Sequence, residues 1–212
     1  MAALVGLAIH MSCLAAGVEA GGVKFLFPVG LTYVNGAFDM NDKLEDSFEA
    51  NGYTVTDNFV WPVSLSFNPR VEFPFGLGVG LALGPPEFIF VDTHEHDYYY
   101  YHDHDYYDDD DVNVSFSMPV GGFLQYSFLR DKTVSPYARV GVRYPITGGD
   151  YIKSGSVGPF VAVGVELYRS EKIGFGAEVG YDWSEVKVSA GPVGGEHTVR
   201  PIGFNVSVFA VF

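Results

Sequence analysis

The sequence predicts an all-β fold in which eight antiparallel strands run up and down and close into a transmembrane barrel. Three observations carry this. From Gly22 onward the chain divides into segments in which every second residue is apolar, the period of a strand with one greasy face. None of those apolar faces holds a charge, and each Lys or Arg facing lipid at mid-bilayer would cost about 2–4 kcal/mol. The links between segments alternate long and short, as in membrane barrels with long loops on one side and tight turns on the other.

Strand one, about residues 23–34, sets Val23, Phe25, Phe27, Val29, Leu31 and Tyr33 against Lys24, Leu26, Pro28, Gly30 and Thr32. A polar link over 35–51 carries Asp39, Asp42, Glu45, Asp46 and Glu49. Strand two resumes near Tyr53, with Phe59, Trp61, Val63, Leu65 and Phe67 on its apolar side, and Asn68-Pro69-Arg70 reads as a tight turn. Strand three, 71–83, has Val71, Phe73, Phe75, Leu77, Val79, Leu81 and Leu83 facing one way and Glu72, Pro74 and three glycines facing the other. After a long link over 84–111, strand four spans 112–128 and ends in a short polar turn over 130–135.

Strand five opposes Ala138, Val140, Val142, Tyr144 and Ile146 to Tyr137, Arg139, Gly141 and Arg143. Strand six opposes Val161, Val163, Val165 and Leu167 to Phe160, Gly164 and Glu166. Beyond the turn Ser170-Glu171-Lys172, strand seven opposes Phe175, Ala177, Val179, Tyr181 and Trp183 to Glu178, Asp182 and glycines. The closing strand alternates through Ile202, Phe204, Val206, Val208 and Ala210 to the terminal Phe212. Tyr33, Trp61, Tyr144, Tyr181 and Trp183 fall at the long-loop ends of their strands, and Tyr126, Phe128 and Phe212 at the turn ends. That placement suits the two aromatic girdles of a membrane protein.

Composition agrees. No apolar run reaches the ~20 residues a membrane helix needs, so a membrane span must come from a closed barrel. A net charge of −14 excludes a nucleic-acid partner, because phosphate binding needs Lys and Arg. Residues 1–20 read as a signal peptide, apolar from Ala2 to Gly17 and ending in Val18-Glu19-Ala20. The remaining 21–212 form one barrel domain. The single cysteine, Cys13, lies in the leader, so the mature chain has no disulfide.

With Pro136-Tyr137-Ala138-Arg139-Val140-Gly141 opening a strand and an aromatic closing the last one, the chain resembles the OmpA/OmpX-type outer-membrane barrels and opacity-like surface proteins. The resemblance implies a monomer in the outer membrane of a Gram-negative bacterium, with periplasmic termini and extracellular long loops. It also implies outer-membrane lipid as surroundings and Phe212 as the signal read by the barrel assembly machinery.

Three sets of residues could carry function. Arg139, Arg143, Glu166, Glu178 and Asp182 point into the barrel. Simple hairpin pairing sets Arg139 level with Glu178, Arg143 with Asp182 and Tyr137 with Glu166, an internal salt-bridge ladder. Inward glycines leave space that either large neighbours or water must fill. The second set is the low-complexity tract over 92–111, with His94, His96, His102 and His104 among Asp and Tyr. In extended backbone a His-x-His pair sits on one face about 6.6 Å apart, and imidazole suits Zn²⁺, Ni²⁺ or Cu²⁺ while carboxylates suit Ca²⁺. The third, His197 and Thr198 with Ser184 and Asp182, is a rim grouping without a recognisable nucleophile–base spacing. The sequence therefore reads as a structural or surface-interaction protein, not an enzyme, with no cofactor beyond a loop-bound ion. A lipid-modifying enzyme and a narrow channel are the alternatives.

Overall fold

A strand with one apolar and one small or polar face can satisfy its backbone inside a membrane only by closing into a barrel, and these strands do close. The computed structural model describes residues 19–20, 22–95, 112–168, 173–189 and 195–212. Strand one is Val23–Leu26 with Val29–Val34, and strand two is Tyr53–Val60, Val63–Phe67 and Arg70–Glu72. Strand three is Leu77–Leu83 with Glu87–Glu95, strand four Val112–Ser127 and strand five Val134–Gly148. Strand six is Gly158–Leu167, strand seven Gly174–Asp182 and strand eight Phe204–Val211. Each pairs antiparallel with the next. Strand eight returns to strand one from Asn205↔Val34 to Ala210↔Val29, which completes the cylinder. The Phe27 amide donates to the Phe212 carbonyl at 3.1 Å and carries the seam to the chain end.

Alternation decides which way the cylinder faces. Val140 is 53% exposed while its neighbour Arg139 is 3% exposed. The same inside-out order holds for Leu31, Leu65, Leu81, Leu124, Val163, Phe175 and Val208, all on the outside. No helix among the described residues is long and apolar enough to cross a membrane.

The structure corrects the sequence reading in four places. Residues 36–50 are not a polar link; they form the helix Gly36–Ala50. Asn68-Pro69-Arg70 is not a turn. The chain passes through it, with the Pro69 carbonyl accepting from Leu81 N at 2.9 Å, and turns instead over 73–76, where Phe73 N donates to Leu77 O at 2.8 Å and Gly76 takes φ +88°. Strand three therefore starts later and resumes beyond Pro85-Pro86 as Glu87–Glu95, within what reads in sequence as a loop. Finally, Ile202 does not join the outward set of strand eight, because a positive φ of 54° at Gly203 bends the chain ahead of Phe204 and buries Ile202 completely.

The long-loop end folds into a head. Its helix exists because Ala37, Met40, Leu44 and Phe48 recur at helical spacing and are all buried, while Asp39, Asp42, Asp46 and Glu49 stay exposed. Gly52 ends it at φ +83°, its amide bonded to Glu49 O at 3.0 Å, a C-terminal stop that glycine accommodates. Beside it lies a three-stranded sheet of Ile152–Ser156, Glu185–Val188 and His197–Val199, built from the two later long links. Helix and sheet share one apolar core with the barrel's rim: Val34 and Ile89 from the barrel meet Met40, Leu44, Phe48, Ile152, Val186, Val188, Val199 and Ile202. An isolated helix of this length is marginal in water. Burying each large apolar side chain contributes roughly 1.5–3 kcal/mol, so docking is what holds it.

Candidate functional site

The inward faces of the strands carry a series of polar clusters along the lumen. At the short-turn end, Arg130 Nε donates to Glu72 Oε1 at 3.1 Å, and Ser127 Oγ donates to Glu72 Oε2 at 3.0 Å. Gln125 Nε2 reaches Ser127 Oγ at 3.4 Å, while its Oε1 accepts from Arg139 Nη2 at 3.0 Å and Nε at 3.2 Å. Arg139 Nη1 lies 3.2 Å from Glu178 Oε2, which also accepts the Tyr137 hydroxyl at 2.8 Å. Nearer the long-loop end, Arg143 Nη1 meets Asp182 Oδ2 at 2.9 Å. Glu166 is paired with Arg70 Nη2. A hydroxyl trio, Ser207, Thr32 and Ser66, bridges the closing seam at 2.8 and 2.9 Å.

The pairing differs from simple hairpin geometry in one respect. Strand five is shifted by two residues against strand six, so Tyr137 lies opposite Gly164 and, across it, level with Glu178. Tyr137 therefore bonds Glu178, and Glu166 turns to Arg70. Arg139 and Arg143 still reach their acids because a guanidinium on a long stem spans the offset along the barrel axis. Arg70, read in sequence as part of a tight turn, lies inside instead, 3% exposed. It was hidden by Pro69, although the alternation Arg70, Val71, Glu72 could have revealed it.

Large side chains fill the space the inward glycines leave. The Tyr137 ring packs where a Cβ on Gly164 would sit, Phe209 does so at Gly176, Phe123 at Gly80 and Phe160 at Gly141. The arginines stack on the same rings, with Arg139 4.3 Å from the Phe123 centroid and Arg143 4.2 Å from that of Phe160, a favourable arrangement for a desolvated cation. The lumen is a packed polar core. At its long-loop end it is covered further by the apolar core of the head.

No family model matches the chain, and no curated protein does. Among solved structures, the outer membrane protein OprG from Pseudomonas aeruginosa is similar with a TM-score of 0.52 at 14% identity, over 92% of this chain and 97% of that one. The fold is that of the small outer-membrane β-barrels. Neisserial surface protein A, at a TM-score of 0.38, 12% identity and 90% and 97% coverage, and AlkL in lipid bilayers, at 0.44, 14% and 92% of each chain, are matched more loosely.

Within this outer-membrane barrel fold the other candidate residues separate. His94 stands in the outer part of strand three, its backbone opposite Thr54; His96, His102 and His104 lie outside the described residues, as does most of the leader. Among the described residues no group of three or more His, Cys, Asp and Glu could hold a metal ion. At the rim, Ser184 is buried and donates through both its backbone amide and its hydroxyl to Asp182 Oδ1, at 2.7 and 2.6 Å. Its hydroxyl thus caps the ladder, and His197 sits in the loop sheet opposite Val188. A polar cleft of about 400 Å³ opens on the head's flank between Asn35, Asp39, Tyr181, Glu185, Thr198 and Arg200. Arg200 Nη2 bonds Glu185 at 2.8 Å, which with Tyr181 holds the guanidinium above its ordinary pKa. Lys187 likewise holds the Glu196 carboxyl low through a 2.8 Å bond. Such exposed pairs contribute little stability.

Proposed function

We propose that the protein is an outer-membrane anchor whose closed barrel presents a folded, acidic head at the cell surface for adhesion or envelope contact. The observation that carries this reading is the lumen, filled from Arg130–Glu72 to Arg143–Asp182 by paired charges and aromatic rings and roofed by the helix and loop sheet. An even number of strands puts the first and last strand ends of the chain on one side of the membrane, and long links lie outside in such barrels. In this reading Phe212 faces the periplasm, open to the assembly machinery, and the barrel works as a monomer in outer-membrane lipid. Planar-bilayer recording on the refolded protein is expected to give no steady conductance; reproducible ohmic steps would favour the channel reading. An outer-leaflet lipid-modifying activity has no support from Ser184, whose hydroxyl is bonded to Asp182.

The His/Asp tract extends this surface role. Strands three and four pair as far as Asp92↔Val112, so the chain leaves and re-enters the barrel at adjacent points with His96, His102 and His104 between them. Imidazoles in this density suit capture of Zn²⁺, Ni²⁺ or Cu²⁺. Titration calorimetry with Zn²⁺ and Ni²⁺ is expected to give binding heat that vanishes when His94, His96, His102 and His104 are changed to Ala. Equal heats from both proteins would remove the metal role.

A further inference from the structure

Among the described residues, the buried charges of the lumen do not balance. Arg70, Arg130, Arg139 and Arg143 pair with the buried acids Glu166, Glu72, Glu178 and Asp182, and Arg130 also lies 3.9 Å from the exposed Asp131. A fifth acid, Glu87, is completely buried, and neither of its carboxylate oxygens accepts a hydrogen bond. Opposite it on strand four, Ser117 is equally buried and its hydroxyl also lacks a partner. Asp182 acts on Glu87 as a like charge and offers it nothing, since its oxygens are bonded to Ser184 and Arg143. Two residues above Glu87, Ile89 belongs to the apolar core of the head, which shuts this level off from bulk water.

An isolated buried carboxylate costs far more than a hydrogen-bonded one, and two facing buried groups that both lack a hydrogen bond call for a specific partner. We propose that Glu87 and Ser117 form a site for one small monovalent cation of the sodium or potassium class. Both residues offer hard oxygen donors, which such ions take. The charge selects the valence: one unmatched negative charge is cancelled by a monovalent ion, whereas a divalent ion would leave an excess positive charge. The ion would complete the ladder at its outer end and hold strands three and four together under the head.

The test is the thermal unfolding midpoint of the refolded barrel in sodium, potassium or choline chloride at equal ionic strength, for wild type and Glu87→Gln. Choline is too large for a buried two-residue site. Wild type is expected to melt several degrees higher in sodium or potassium than in choline, because an ion that binds only the folded state stabilises it by mass action. Glu87→Gln is expected to melt at one temperature in all three salts. Identical wild-type midpoints in the three salts would overturn the proposal and mean that Glu87 is held by a proton. A salt effect that persists in Glu87→Gln would also overturn it, by assigning the ion to exposed acids of the head. Calcium dependence that is lost in Glu87→Gln would overturn the monovalent assignment. Should Glu87→Gln fail to fold, Ser117→Ala removes one ligand without changing charge. It is expected to need several-fold more sodium for the same rise, and an unchanged concentration dependence would count against the site.

Discussion

Arg139→Ala is expected to destabilise the barrel by about 3–5 kcal/mol, the cost of leaving a buried acid without its partner. Arg139 satisfies Glu178 at 3.2 Å and Gln125 at 3.0 Å and lies over the Phe123 ring. Removing it strips three partners at once and leaves Glu178 with the Tyr137 hydroxyl. Denaturant titration of the refolded protein in lipid measures the loss. Changing Arg139 and Glu178 together to Leu should recover much of it, since replacing both members of a buried pair by apolar groups is often close to neutral. A loss below about 0.5 kcal/mol for the single variant, the scale of an ordinary surface change, would mean that the ladder does not hold the barrel.

Leu44→Asp is the complementary disruption, aimed at the head. Leu44 is 1% exposed at the centre of the apolar core shared by helix, loop sheet and rim. Truncating such a leucine alone costs about 2–5 kcal/mol, and an unpaired carboxylate there adds a desolvation penalty. The expected result is local: helical circular dichroism falls and the segment from Asn35 to Gly52 becomes sensitive to protease. The barrel should still show its heat-dependent mobility on gels, because no lumen contact involves Leu44. Loss of that mobility shift would show that head and barrel fold as one unit.

What could be read from sequence follows from which interactions are periodic. Lipid-side alternation through Val140, Val163 and Val208 repeats every two residues, so strands, faces and closure were legible. The inward charges were legible for the same reason, since Arg139, Glu178 and Asp182 interrupt faces of small residues. Three things were not. The helix Gly36–Ala50 keeps its apolar set at 37, 40, 44 and 48, but five acids among fifteen residues mask that spacing when polarity is weighed instead of period. The two-residue slide that gives Tyr137 to Glu178 arises at a hairpin whose link itself contains the strand Ile152–Ser156, and no local signal fixes such a register. Arg70 was obscured because Pro69 resembles a turn, yet Pro69 tolerates this place by using only its carbonyl.

The helix Gly36–Ala50 and the loop sheet form a docked head over a filled barrel. Amide hydrogen exchange on the intact protein in lipid bilayers tests it most directly. Amides of the helix Gly36–Ala50 beyond its first turn are expected to be protected, at a level between exposed loop residues and barrel strands such as Val134–Gly148. Exchange of those helical amides at the rate of an unstructured peptide, with the strands protected, would contradict the head and leave only the barrel.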